Sequence, residues 1–216
     1  ESNVLTDIVR GVTITTKSDI TSGNQTISGG LKTFGTDGFT LGNDDAFNKN
    51  TATYASWNWK AGNSQGSSNT AGSINTTYTS VNTTAKFSIS LYTGTGSNAT
   101  IGHGLGAVPS MVMTKRLSAG DDWIVWNKDL TNPASYLYLN GTNDEMGSVP
   151  AYQNITPTST LLYPGTDGRT NNSGQTYITY CFADVKGYSK MASYVGNGNA
   201  NGTFIYTGFS PAFIMV

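Results

Sequence analysis

Charge is scarce in this chain. Only 12% of its 216 residues are Asp, Glu, Lys or Arg, about half the share of an ordinary soluble domain. Solubility therefore falls to the Thr, Ser and Asn that fill the stretches between apolar residues, a composition suited to strand faces and turns. The net charge is −1, and the basic residues (Lys17, Lys32, Lys60, Lys86, Lys115, Arg116 and Lys186 among them) are scattered. No basic stripe of the kind a phosphate backbone demands is present, so nucleic acid is not an expected partner. A single cysteine, Cys181 in TYCFAD, excludes an internal disulfide framework and reads as a small buried apolar residue. A single histidine, His103, excludes a multi-histidine metal site. No apolar run approaches the roughly 18 residues of a spanning helix, so none is expected.

Helical periodicity is missing as well. No window of a dozen residues holds an i, i+3, i+4, i+7 apolar stripe free of Gly and Thr, which predicts almost no helix longer than a turn. What is present is strand-like: Thr53–Trp59, Phe87–Tyr92, Met111–Lys115, Trp123–Trp126, Tyr136–Leu139 and Thr176–Phe182 are short, β-branched or aromatic segments. Between them lie TDG at 36–38, GNDD at 42–45, SAGDD at 118–122, NGTND at 140–144 and GTDG at 165–168, which are hairpin and loop signals. Many short strands punctuated by turns predict an all-β fold of the sandwich, jelly-roll or barrel kind.

Self-comparison adds a repeat. TYASWNWKAG at 53–62 lines up with TYITYCFADVKG at 176–187, and a turn precedes each, TDGFTLG at 36–42 and LLYPGTDG at 161–168, an offset of about 123. FSISLYTGTGSNATIGHGLGAVPSMVM at 87–113 lines up with YSKMASYVGNGNANGTFIYTGFSPAFIM at 188–215, with Tyr92 over Tyr194 and Pro109 over Pro211, an offset of about 102. The expected organisation is tandem β-sandwich repeats, jelly-roll or concanavalin-like. Residues 1–62 form the C-terminal part of one unit, 63–86 a Gly, Ser, Asn and Thr linker or extra hairpin, 87–187 a complete unit and 188–216 the start of a further one. With Glu1 opening the chain and Val216 falling inside an expected strand, this phase reads as a piece of a longer repetitive chain.

On these same motifs (TDGFTLGND with TYASWNWKAG, FSISLYTGTGSNATIGHGLGAVPSMVMTKR and YSKMASYVGNGNANGTFIYTGFSPAFIMV) the chain resembles a repeat domain of undefined function found in tail-fibre and virion structural proteins of marine bacteriophages. VRGVT at 9–13 is similar to that family's mid-unit segment, whereas the stretch between Asn127 and Pro164 diverges from it. The resemblance implies a non-enzymatic structural or adhesive component of a virion surface fibre, involved in host attachment and located on the particle. It implies partners in other virion proteins and in further copies of itself, as a homo-oligomer such as a trimer, and assigns no catalytic residue and no cofactor. A cellular lectin-like adhesin or surface-filament subunit fits the same composition, and a polysaccharide depolymerase is a third reading.

The residues themselves offer few chemical candidates. His103 sits in GHGLG between strands, without the partners that a triad or metal site needs, and reads as a loop anchor. The neighbouring acids Asp44 and Asp45, Asp121 and Asp122, and Asp144 and Glu145 fall in turns and lack a regular calcium-loop spacing. They read as solvated turn acids. Trp57 and Trp59, two apart on an expected strand, point to one face; with Trp123 and Trp126 they are the candidate contacts for a host-surface glycan, against core packing as the alternative.

Overall fold

The structure is a computed structural model that describes residues 2–147 and 150–216; Glu1 lies outside the described residues. Its first part holds a three-stranded antiparallel sheet of β1 (Val4–Leu5), β2 (Ile14–Lys17) and β3 (Gln25–Thr26), then a hairpin of β4 (Leu31–Phe34) and β5 (Phe39–Leu41) and a helical turn, α1 (Asp45–Asn48). There follow β6 (Tyr78–Asn82), β7 (Phe87–Thr93), β8 (Ile101–Gly102), β9 (Met111–Arg116), β10 (Ile124–Asn127), β11 (Leu137–Tyr138), β12 (Leu161–Leu162), a second helical turn, α2 (Gly168–Asn171), and β13 (Thr176–Phe182). Six of these strands build one large antiparallel sheet in the order β11-β10-β9-β13-β7-β6, and β12 pairs with β8.

The all-β reading holds, and each of the two helices is a four-residue turn. Strands predicted at 87–92, 111–115, 123–126, 136–139 and 176–182 coincide with β7, β9, β10, β11 and β13. The strand predicted at Thr53–Trp59 does not form: these residues carry no ladder and are exposed. Within residues 63–86, β6 forms the sheet edge antiparallel to β7, while Ser67 bridges Thr79 and Ile74 bridges Ile101.

β13 is the middle of the large sheet, paired along its length with β7 on one side and β9 on the other. Side chains alternate across a strand, so Tyr177, Thr179 and Cys181 face one way and Ile178, Tyr180 and Phe182 the other. On the first face Cys181 joins Leu105, Val112, Ile124, Trp126 and Leu162, and Tyr177 stacks on Tyr92 with ring centroids 5.2 Å apart. On the second face Ile178, Tyr180 and Phe182 pack with Val9, Ile89 and Trp123. Both faces being covered, TYITYCF reads as a nearly continuous apolar run rather than an alternating one.

Four polar side chains inside this core, with Tyr152, are paired with one another. Thr79, Ser90, Thr179 and Thr114 lie in one cross-strand row. Their hydroxyls link Thr79 to Ser90 at 3.0 Å and Thr114 to Thr179 at 3.1 Å, and Thr114 also meets the Tyr152 hydroxyl at 2.9 Å. Buried hydroxyls that satisfy each other avoid the desolvation cost of an unmatched group.

The N-terminal segment is pinned to the second face by an ion pair. Arg10 Nε meets Asp7 Oδ2 at 2.5 Å with both side chains buried. The remaining four guanidinium N–H groups donate to Thr16 Oγ1, Asn24 Oδ1, the Leu5 carbonyl and the Tyr180 hydroxyl, all at 3.1 Å. Tyr180 in turn donates to Asp7 Oδ2 at 2.7 Å, and the other carboxylate oxygen accepts the Val9 and Arg10 amides. All five guanidinium donors are thereby used, the condition under which a buried pair recovers its desolvation cost.

The two helical turns carry similar sets of hydrogen bonds. Asp44 caps α1 by accepting the Ala46 amide at 2.9 Å, and Asp167 caps α2 by accepting the Arg169 amide at 2.7 Å. The Tyr54 hydroxyl accepts from the Lys49 amide at 2.9 Å and donates to the Asp45 carbonyl at 2.6 Å. At the corresponding places the Tyr177 hydroxyl accepts from the Asn172 amide at 2.8 Å and donates to the Gly168 carbonyl at 2.5 Å. Asn48 Nδ2 donates to the Gly42 carbonyl and Asn171 Nδ2 to the Gly165 carbonyl, both at 2.9 Å. The surroundings differ: Tyr177 opens the central strand, whereas Tyr54 opens an exposed segment with no strand on either side.

Replacing Arg10 with Met leaves the Asp7 charge buried without its partner, and urea unfolding is expected to show a loss of about 3–5 kcal/mol. Tyr180→Phe removes the neutral hydroxyl that bonds both charged groups and should cost about 1–3 kcal/mol.

Candidate functional site

The four tryptophans divide into two pairs. Trp123 and Trp126 are 0% and 3% exposed. Their indole N–H groups donate to the Lys17 carbonyl at 2.8 Å and the Pro133 carbonyl at 3.1 Å. With ring faces in the core and the polar edge spoken for, neither can stack on a glycan, which corrects the reading of these two as ligand contacts. β10 places them there because the sheet is covered on both sides.

Trp57 and Trp59 are 60% and 47% exposed. Trp57 lies against Phe213, ring centroids 5.7 Å apart, and Trp59 meets Phe182 edge-on at 6.0 Å. Tyr54 is exposed as well, and so in the C-terminal segment are Phe204 at 86%, Tyr206 at 77% and Ile214 at 71%. Sequence reasoning assigned Trp57 and Trp59 to a site; it assigned residues 204–216 only to the start of a further unit, although their match to β7–β9 and the intervening segment was legible.

The acidic pairs serve turns. Asp44 caps α1 and Asp45 lies 3.9 Å from Lys49 Nζ. Asp121 accepts the Asp122 amide at 3.0 Å and lies 3.6 Å from Arg116, while Asp122 accepts from Asn140 Nδ2 at 2.8 Å. Glu145 accepts the amide and hydroxyl of Thr131, and the nearby Ser135 hydroxyl first, then Thr131, hold its carboxyl below the usual range. Among the described residues no group of three His, Cys, Asp or Glu side chains is arranged to hold a metal ion.

His103 is buried and ties two loops together. The Leu105 amide donates to its Nδ1 at 3.3 Å, so Nε2 carries the proton and donates to the Thr158 carbonyl at 3.1 Å. The flanking Gly104 and Gly106 take φ of 73° and 62°, left-handed values that let the loop fold over the ring. Burial lowers the imidazole pKa, against a smaller opposing pull from the Thr158 carbonyl. Cys181 is buried too, and burial pushes its thiol up to about 12, making it unreactive.

Lys115 is the one buried ammonium at the junction between the first segment and the large sheet, with Nζ donating to the carbonyls of Thr21 at 3.0 Å, Arg116 at 3.0 Å and Asp121 at 2.8 Å. Burial lowers its pKa to about 8, against the upward pull of Asp121 and Asp122. A lysine held by three carbonyl acceptors, two of them on different segments, acts as a clamp between those segments.

Fold and site together define a β-rich protein with a buried ion pair and a buried hydroxyl row, and with Trp57 and Trp59 exposed. The chain belongs to a family described as a domain of unknown function, DUF7483, whose family model matches residues 1–216. No curated protein and no solved structure matches it.

Two measurements check these placements. Iodide is expected to quench the fluorescence of Trp57 and Trp59 while leaving that of Trp123 and Trp126 intact, so about half the emission stays unquenched. The folded imidazole has the lower pKa, so the unfolded chain takes up its proton first as pH falls. The contribution of His103 to stability is therefore complete above the ordinary pKa of 6.5 and declines below it. Urea midpoints compared across that range should fall more steeply in the wild type than in His103→Gln.

Proposed function

We propose that this chain is a non-enzymatic, repeat-built structural or adhesive segment of a bacteriophage virion, carried on a tail fibre or another surface fibre and engaged in host attachment. The duplicated clasp supports the repeat reading: Asp44, Asn48 and Tyr54 make the bonds of Asp167, Asn171 and Tyr177 at a constant offset. Stacked β units give a spacer whose rigidity comes from many short ladders and whose loops vary freely. The tandem units are of the sandwich kind in this reading, each a large sheet covered on both faces. The virion setting rests on the resemblance of the sequence motifs to phage structural repeats. Trp57 and Trp59 remain the glycan candidates, since their rings reach solvent. A cellular adhesin is the second reading and uses the same surface.

Negative-stain imaging with an antibody raised to this chain is the test. Labelling of fibres on particles is the expected outcome, and unlabelled virions beside labelled host cells would replace the reading with the cellular one. A Trp57→Ala, Trp59→Ala double variant should lose binding to host-envelope glycans by tenfold or more while its urea midpoint stays within about 0.5 kcal/mol of wild type, since both side chains are exposed.

A further inference from the structure

We infer that the recess between Trp59 and the turn at Tyr188 binds an acidic glycan, the sugar ring lying against the aromatic rings and its anionic substituent between Lys60 and Lys86. The inference rests on the glycan reading of Trp59 above and adds to it the class of sugar.

Three stretches distant in sequence meet at this recess. Phe182 closes β13 beside Phe87, the first residue of β7, with ring centroids 4.8 Å apart, and Trp59 stands edge-on to Phe182 at 6.0 Å. Phe87 and Phe182 are buried while Trp59 is 47% exposed, so a row of rings that begins in the core ends on an indole that water reaches. The facing wall is the turn after β13. Val185 and Ser189 exchange two backbone hydrogen bonds at 3.0 Å, Gly187 takes φ of 75°, and Tyr188 is left 65% exposed. Asp184 holds this turn in place by accepting the Met191 amide at 2.9 Å and the Lys190 ammonium at 2.8 Å. Two exposed rings on hydrogen-bonded supports suit the apolar face of a sugar.

The third stretch is the turn between β6 and β7, and it supplies a cation. Asn82 Oδ1 accepts the Thr84 and Ala85 amides at 3.0 and 2.9 Å, the backbone then passes through Lys86 at φ of 53°, and the Lys86 carbonyl accepts the Ala183 amide at 3.0 Å. A left-handed residue that carries a side chain is costly and persists only where its surroundings hold it. Here those bonds fix Lys86 in the wall of the recess. Its Nζ spends one N–H on the Leu105 carbonyl at 3.3 Å, and an ammonium has two more to offer.

Charge decides what the recess takes. Among the described residues Lys60 and Lys86 are the only charged side chains lining it, and neither is in an ion pair. Asp184, two positions beyond Phe182, is already paired with Lys190. A concavity walled by two cations and no anion focuses positive potential and draws an anionic group. Its volume is about 40 Å³, room for a substituent the size of one or two waters but not for a sugar ring. The anionic substituent therefore enters between the lysines, and the ring that carries it stays outside, against Trp59 and Tyr188.

The test titrates the whole chain by calorimetry with oligogalacturonate and with a sulfated carrageenan oligosaccharide, each beside its uncharged form, carboxyl-reduced or desulfated. At least one acidic form is expected to bind about tenfold more tightly than its uncharged counterpart, an advantage that shrinks as salt is added; which of the two does so tells a carboxylate from a sulfate. Lys60→Gln with Lys86→Gln should erase the advantage and leave binding of the uncharged form unchanged, whereas Trp59→Ala should weaken both. Because Lys86 sits at positive φ, Lys60→Gln alone is the second variant. Its side chain is exposed, so the urea midpoint stays in place while about threefold of the advantage is lost. Equal affinity for the acidic and uncharged forms in both pairs overturns the inference and leaves the glycan reading of Trp59 standing, and an acidic preference that survives both lysine substitutions overturns it as well. Failure of all four probes to bind also overturns it; the glycan reading is then decided separately, on host-envelope glycans with the Trp57, Trp59 double variant.

Discussion

A strand in the middle of a sheet needs a hydrogen-bonding neighbour on both sides, and in this chain that requirement organises everything else. β13 meets it twice, through seven paired positions with β7 and six with β9. The two cores form on its alternating side chains, the hydroxyl row crosses it at Thr179, and the N-terminal segment is anchored on its Tyr180. Residues 53–60 share the opening Thr-Tyr and the aromatic positions 57 and 59 with β13 but lack the neighbours. They stay irregular and exposed, showing that the sequence of a strand is insufficient without its ladder.

Much of the fold could be read from composition and pattern. Scarce charge and dense Thr, Ser and Gly pointed to strands and turns, and the segments that became β7, β9, β10, β11 and β13 were recognisable individually. The failure at Thr53–Trp59 has a physical cause, since β-propensity measures fit to a neighbouring strand that the segment lacks in the described chain. β6 was hidden for the opposite reason. YTSVN is polar and Thr-rich like the surrounding loop, and it becomes a strand because β7 offers an edge to it.

The site was legible in part. Trp57 and Trp123 are the same residue type on similar-looking segments, and only the burial of both faces of the large sheet separates an exposed ring from a core one. The ion pair of Asp7 and Arg10 left no pattern in the sequence, because Tyr180 lies 170 positions beyond Arg10. His103, in contrast, could be read as a loop anchor from its place in GHGLG between strands and its lack of triad or metal partners.

The clasp of Asp, Asn and Tyr also bears on the order in which structure is acquired. Its bonds span ten residues or fewer in each copy, so loop closure costs little and contact is made long before strands that lie more than eighty positions apart can meet. During synthesis the first clasp can set as soon as Tyr54 has left the ribosome, and the second once Tyr177 has. Each is a preformed corner that fixes where the following long-range pairing must start.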